Sequence, residues 1–80
     1  MDKTAMRIAM TKHHDTQETL AEALEMQVSG LNARINGKVD FRAGEILRIV
    51  KRYNLSPEET TEIFFNEEAS KQDAMKGSKK

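Results

Sequence analysis

The chain has 80 residues, with 13 basic and 13 acidic side chains, no cysteine and five methionines. This length fits one domain with a modest core, because so small a domain buries only about 60% of the surface its unfolded chain exposes. The lack of cysteine excludes disulfides and thiolate metal sites; no apolar run nears the ~20 residues that a bilayer requires, MDKTAMRIAM has no apolar signal-peptide core, and a cytoplasmic protein is expected.

The first predicted helix runs from about Thr4 to Lys12. Ala5, Ile8, Ala9 and Lys12 share one face, with Met6 and Met10 beside it, and the apolar members are expected to face a core. His13-His14-Asp15-Thr16 interrupts the pattern. Thr16 suits an N-cap, since its hydroxyl accepts an otherwise unpaired backbone N–H, and Glu18 complements the positive end of the helix dipole. Leu20, Ala21 and Leu24 form one narrow buried stripe in this second helix, which should end near Glu25. Val28 to Ile35 is the third helix. Leu31 and Ile35 face inward, and Val28 is either a third core member or an outward residue. Asn36-Gly37 is a stop signal, because glycine accepts the left-handed conformation without steric penalty. Lys38 to Phe41 is a loop.

The fourth helix has a broad apolar stripe of Ile46, Leu47, Ile49, Val50 and Tyr53, with Arg48, Lys51 and Arg52 read as a solvated opposite face. Asn54 and Leu55 leave it. Ser56-Pro57-Glu58-Glu59 opens the fifth: Ser56 caps, Pro57 fits the first helical position and Glu59 completes a capping box. Ile63, Phe64 and Phe65 supply its apolar face. The expectation is an all-α bundle of about five short helices over residues 1–66, followed by a polar, disordered tail over 67–80.

Two short helices separated by a tight turn within TQETLAEALEMQVSGLNARING form a helix-turn-helix, which cannot bury its apolar faces without the other helices as a platform. Its second helix has a free face that a DNA major groove is wide enough to accept. The zero net charge conceals a basic middle. Residues 27 to 52 carry Arg34, Lys38, Arg42, Arg48, Lys51 and Arg52 against Asp40 and Glu45, a local net of +4. Asp15, Glu18, Glu22 and Glu25 precede this segment, and Glu58, Glu59, Glu62, Glu67 and Glu68 follow it.

This segment resembles the helix-turn-helix of the lambda-repressor-like family, which includes phage repressors and Cro proteins. Gln17 stands where that family often starts its first motif helix with glutamine, Ala21 at the small-residue contact, and Leu24 and Leu31 at the apolar locking positions. Ser29-Gly30-Leu31 and Asn36-Gly37 match the recognition helix and the turn after it. The continuation INGKVDFRAGEILRI, then LSPEE and IFF, resembles small phage Cro-like regulators, so the likeness covers roughly residues 4 to 66. Two positions depart from the pattern. The turn residue, usually glycine, is Glu25; a positive φ costs a non-glycine residue of order 1 kcal/mol, so a looser or differently shaped turn is expected. The fourth helix begins at Arg42 instead of Ser or Thr; either Asp40 caps, or Arg42 is retained for a phosphate.

Gln27, Val28, Ser29, Asn32 and Ala33 are the candidate base contacts. Gln and Asn pair bidentately with adenine, and Val and Ala pack on a thymine methyl. The resemblance places Gln17 at a phosphate, and Arg34, Lys38 and Arg42 are expected to clamp others; these contacts supply affinity and register but no sequence information. The acidic Glu18, Glu22 and Glu25 must face away from DNA. Adjacent His13 and His14 do not converge on one ion, and no nucleophile elbow or phosphate loop occurs, so neither a metal, a cofactor, a small-molecule substrate nor catalysis is expected. Ile63, Phe64 and Phe65 are the candidate homodimer interface, since recognition helices ~34 Å apart read a palindromic operator. Of Phe64 and Phe65, one should be partly exposed in the monomer. The leading expectation is a DNA-binding transcriptional repressor of Cro type. The alternative is a protein-interaction module of the same fold, an antirepressor or an antitoxin.

Overall fold

The computed structural model describes residues 1–65 and places five helices there: α1 (Lys3–Lys12), α2 (Gln17–Ala23), α3 (Val28–Ile35), α4 (Ala43–Tyr53) and α5 (Pro57–Phe64). No strand occurs among the described residues. The expected tail over 67–80 lies outside them.

The helix starts follow local chemistry. The Asp2 carboxylate accepts the Ala5 N–H at 3.0 Å, and the Asp2 N–H donates to the Ile63 carbonyl at 2.8 Å, tying the start of α1 to α5. At α2, the Thr16 hydroxyl accepts from the Thr19 N–H at 3.1 Å while the Thr19 hydroxyl accepts from the Thr16 N–H at 2.9 Å. The Ser56–Glu59 box opens α5 in the same reciprocal way, at 3.1 and 2.8 Å. Arg42, not Asp40, occupies the N-cap of α4. A guanidinium has no acceptor, so only half a box forms there: the Arg42 N–H donates to Glu45 Oε1 at 2.9 Å. Gly37 ends α3 at φ 81°, where a Cβ would be strained.

All five helices feed one core. Met6, Leu20, Leu31, Ile35 and Ile49 are fully buried, joined by Ala9, Met10, Ala21, Leu24, Tyr53, Ile63 and Phe64. Burying a side chain such as Leu31 stabilises by about 1.5–3 kcal/mol. The Phe41 ring closes the α3–α4 loop over this core, meeting Phe64 edge-on with centroids 5.5 Å apart.

Three expectations need correction. The inward row of α1 is Met6, Ala9 and Met10, and Ile8 is 62% exposed. Asp2 anchors the start of α1 through both its cap and its bond to Ile63, and this rotation of the helix seats two flexible methionines in the core. In α4, Ile49 and Tyr53 are buried and Ile46 and Val50 half-buried, but Leu47 lies outside. Ile63 and Phe64, assigned to a subunit interface, are core residues of the single chain; Phe65 alone of the three, at 57% exposure, leaves its ring outside.

Candidate nucleic-acid interface

The helix-turn-helix is built from α2 and α3, which pack against each other and contribute Leu20, Ala21, Leu24, Leu31 and Ile35 to the shared core. The turn keeps a left-handed residue despite the missing glycine: Glu25 adopts φ 58°. Its N–H donates to the Glu22 carbonyl at 3.1 Å, and the Met26 N–H reaches back to Ala21 at 3.0 Å. These bonds cap the orphan carbonyls of α2 and hold Glu25 in a conformation that costs an L-residue about 1–2 kcal/mol. The turn is therefore not differently shaped; it carries strain in the ordinary shape.

Beyond the turn, Gln27 is the N-cap of α3 with no side-chain cap bond, and its side chain is exposed. Val28 is 40% exposed, which settles it as outward-facing and not core. Ser29 and Asn32 are exposed and Ala33 is half-buried. The free face of α3 thus presents the side chains expected to read bases. Gln17 begins α2 and is half-buried. Lys38 and Arg42 are exposed, on the loop that follows α3 and at the cap of α4.

Arg34 is the exception among the expected phosphate contacts. Its Nε and Nη2 donate to the two carboxylate oxygens of Glu45 at 2.9 and 3.2 Å, and Nη1 donates to the Gly30 carbonyl at 3.0 Å. Both side chains are largely buried, at 15% and 17% exposure. Burial alone would push the Glu45 carboxyl up. The Arg34 hydrogen bonds and the Arg42 N–H outweigh it and hold the group below its ordinary value. Arg34 is therefore a strut between α3 and α4.

A second strut stands at the other end of α4. Asp15, whose side chain is only 4% exposed, accepts from Arg52 Nε and Nη2 at 2.7 and 2.8 Å. It also accepts from the Tyr53 and Thr19 hydroxyls, each at 2.6 Å. The Arg52 guanidinium holds the Asp15 carboxyl well below the usual carboxylate range, against the effect of burial and with help from the two hydroxyls. Burial, and next the hydrogen bond to Asp15, hold the Tyr53 phenol above its ordinary value. Arg52 is thus a structural partner and not part of a plain solvated face. Glu45 and Arg52 lie seven residues apart on α4, two turns along one side. One grips α3 and the other the entry to α2, so α4 sets the pose of the motif.

The adjacent histidines divide their roles. The His13 ring stacks on Tyr53, centroids 4.5 Å apart and 4° from parallel, and His14 takes the left-handed φ of 59° that turns the chain out of α1. Among the described residues no group of three or more His, Asp or Glu side chains converges to hold a metal. No helix among them is long and apolar enough to cross a membrane.

Two features escaped the sequence reading. The Asp15–Arg52–Tyr53 cluster joins residues 37 and 38 positions apart, and no local signal announces such a pairing. The other is Asn36. Its Nδ2 donates to Asn32 Oδ1 at 2.6 Å, and its own Oδ1 accepts from Lys3 Nζ at 3.2 Å. The Asn32–Asn36 spacing of four was legible as a helical side-chain pair; the arrival of Lys3 was not.

Comparison with known proteins agrees with this geometry. The helix-turn-helix family model matches residues 6–59, from α1 into α5. Neither the curated proteins nor the solved structures provide a match. The family is one of DNA-binding regulatory domains and not of enzymes. With more than half of its length matched, and with a tight left-handed turn joining α2 to an α3 that is open on its outer face, the chain belongs to the lambda-repressor-like helix-turn-helix family.

Proposed function

We propose that this protein is a sequence-specific transcriptional regulator that places α3 in the major groove of duplex DNA. The observation that carries this reading is the exposed α3 face of Gln27, Val28, Ser29 and Asn32, held in pose by two ion pairs from α4. Gln27 and Asn32 read base edges; Val28 and Ala33 pack on thymine methyls; Ser29 reaches a base or a phosphate. Gln17, Lys38 and Arg42 contact phosphates. Arg34 contributes through its grip on Glu45, and its charge is largely spent there.

The chain acts in the cytoplasm as a homodimer on a palindromic operator, and represses by occupying it, in the manner of small phage Cro proteins. Support for the dimer comes from an open apolar groove of about 790 Å³ between α4 and α5, lined by Ile46, Leu47, Val50, Leu55 and Phe65 among others. Exposed Leu47 and Phe65 at its edge are the large apolar side chains that a second copy would cover.

Selection from a random duplex pool at two salt concentrations tests the reading. Enrichment of a palindromic motif, with affinity falling steeply as salt rises, is the expected result. Absence of retention at low salt refutes it. The second reading, a protein-interaction module such as an antirepressor or antitoxin, would then take its place. What favours that reading is the exposed acidic pair Glu58 and Glu62 on α5, close to the same apolar groove.

A further inference from the structure

The apolar groove between α4 and α5 has flanks of opposite charge. On α4, Ala43, Leu47 and Lys51 follow one another at a spacing of four and are all exposed, so they form one row along the helix. That row ends in a cation. Ile46 and Val50, in the neighbouring row, are half-buried and line the floor. On α5, Pro57, Thr61 and Phe65 make the facing wall. Glu58 and Glu62 each stand one residue further, about 100° around the helix, and are exposed on its outer side. Among the described residues, Lys51, Glu58 and Glu62 belong to no ion pair. Arg48 differs: its Nη1 turns toward α2 and donates to the Leu24 carbonyl at 3.4 Å. The groove is thus apolar along its middle, basic beyond its α4 wall and acidic beyond its α5 wall.

We infer that a second copy of the chain covers this groove with the two-fold axis running along it, so that α4 of each copy lies on α5 of the other and Lys51 meets the partner's Glu58 and Glu62. The inference rests on the homodimer reading above and adds the arrangement of the two copies. A two-fold interface presents the same patch from both sides, and every contact occurs twice. An axis along the groove exchanges its walls, so each acidic flank meets a basic one. Exposed Leu47 is then covered by the partner's α5, and exposed Phe65 by its α4. An axis across the groove would set α4 on α4 and α5 on α5 and bring like charges together, which disfavours that pairing. The flank charges therefore select one of the two arrangements that the apolar middle alone would allow.

The experiment measures the dimer dissociation constant by sedimentation equilibrium for wild type, Lys51→Glu, the pair Glu58→Lys with Glu62→Lys, and all three changes in one chain. The three positions are exposed and outside the core; circular dichroism and thermal melts confirm that every variant folds. Wild type is expected to dimerise. Each one-sided reversal turns attraction into repulsion at two symmetric sites and should weaken the dimer by roughly ten- to a hundredfold. The triple variant restores opposite charges across the interface and should return to within about threefold of wild type. Raised salt should bring all four proteins closer together, because these charges are screened. Unchanged dissociation constants in the one-sided variants, or a triple variant no tighter than they are, overturn the inference and leave the homodimer reading intact. A wild type that stays monomeric at every concentration overturns both, and leaves the groove to a chain of another kind.

Discussion

Asp15→Asn is the substitution that most directly tests how the motif is held. The Asp15 carboxylate is almost fully shielded and accepts from both Arg52 nitrogens, from Tyr53 and from Thr19. A hydrogen bond to a charged group contributes about 1.5–3 kcal/mol. These four share one carboxylate and do not add, and asparagine keeps one acceptor oxygen. Arg52 remains 39% exposed, so water can re-solvate part of its charge. The expected loss at pH 7 is therefore about 3 kcal/mol, the low end for breaking a shielded ion pair. A chain of this length has only about 4–12 kcal/mol of stability in total, so the loss is large. Its sign with pH follows from the depressed carboxyl. The contribution is complete above the unfolded value of ~3.9 and declines as pH falls below it toward the folded value. At pH 3 the gap between wild type and Asp15→Asn should thus have shrunk by roughly 1 kcal/mol. Urea unfolding followed by circular dichroism at pH 7 and pH 3 measures both quantities. Equal gaps at the two pH values, or a gap under ~1 kcal/mol at pH 7, would refute the assigned role of Asp15.

Glu25→Gly should stabilise the protein by about 0.5–1 kcal/mol, because relief of the left-handed strain exceeds the entropy that glycine adds to the unfolded chain; thermal melts check the sign. The lost pairing with Arg48, at 4.0 Å between exposed side chains, subtracts little. Arg42→Ala should weaken binding equally on all sequences and lower the salt slope by about 1, with the selected motif unaltered; titrations on one operator across a salt series provide the test. Phe65→Asp should leave unfolding stability within about 0.5 kcal/mol, since the ring is 57% exposed, while reducing the sedimentation mass from dimer to monomer. A monomer in both samples removes the proposed interface.

The strongest sequence signals were local ones. Ser56-Pro57-Glu58-Glu59 and Thr16 marked helix starts because capping is a matter of three or four consecutive residues. Asn36-Gly37 marked a helix end for the same reason, and α3 was placed at Val28 to Ile35 from its Leu31–Ile35 spacing. Glu25 was legible as an anomaly, but not as a residue that accepts the strain. Patterns of period 3.6 define an apolar stripe only to within a residue or two, which is why Ile8 and Leu47 fit an inward stripe by spacing and lie outside in the fold.

By itself, the sequence determined where α2 and α5 start and where α3 ends, that two of the helices form a helix-turn-helix, and which side chains lie on α3, because backbone capping and helical spacing act over a few residues. The tertiary structure alone decided which charges are free to meet DNA. Arg34 and Arg52 read as basic surface, yet Glu45 and Asp15 engage them across 11 and 37 positions of chain. Asn32 read as a free base-pairing side chain, yet Asn36 donates to its oxygen, and Lys3 reaches Asn36 from 33 residues away. Hydrogen bonds form where the packed helices bring partners together, and the helical pattern that predicts each helix contains no record of how the helices will be rotated against one another.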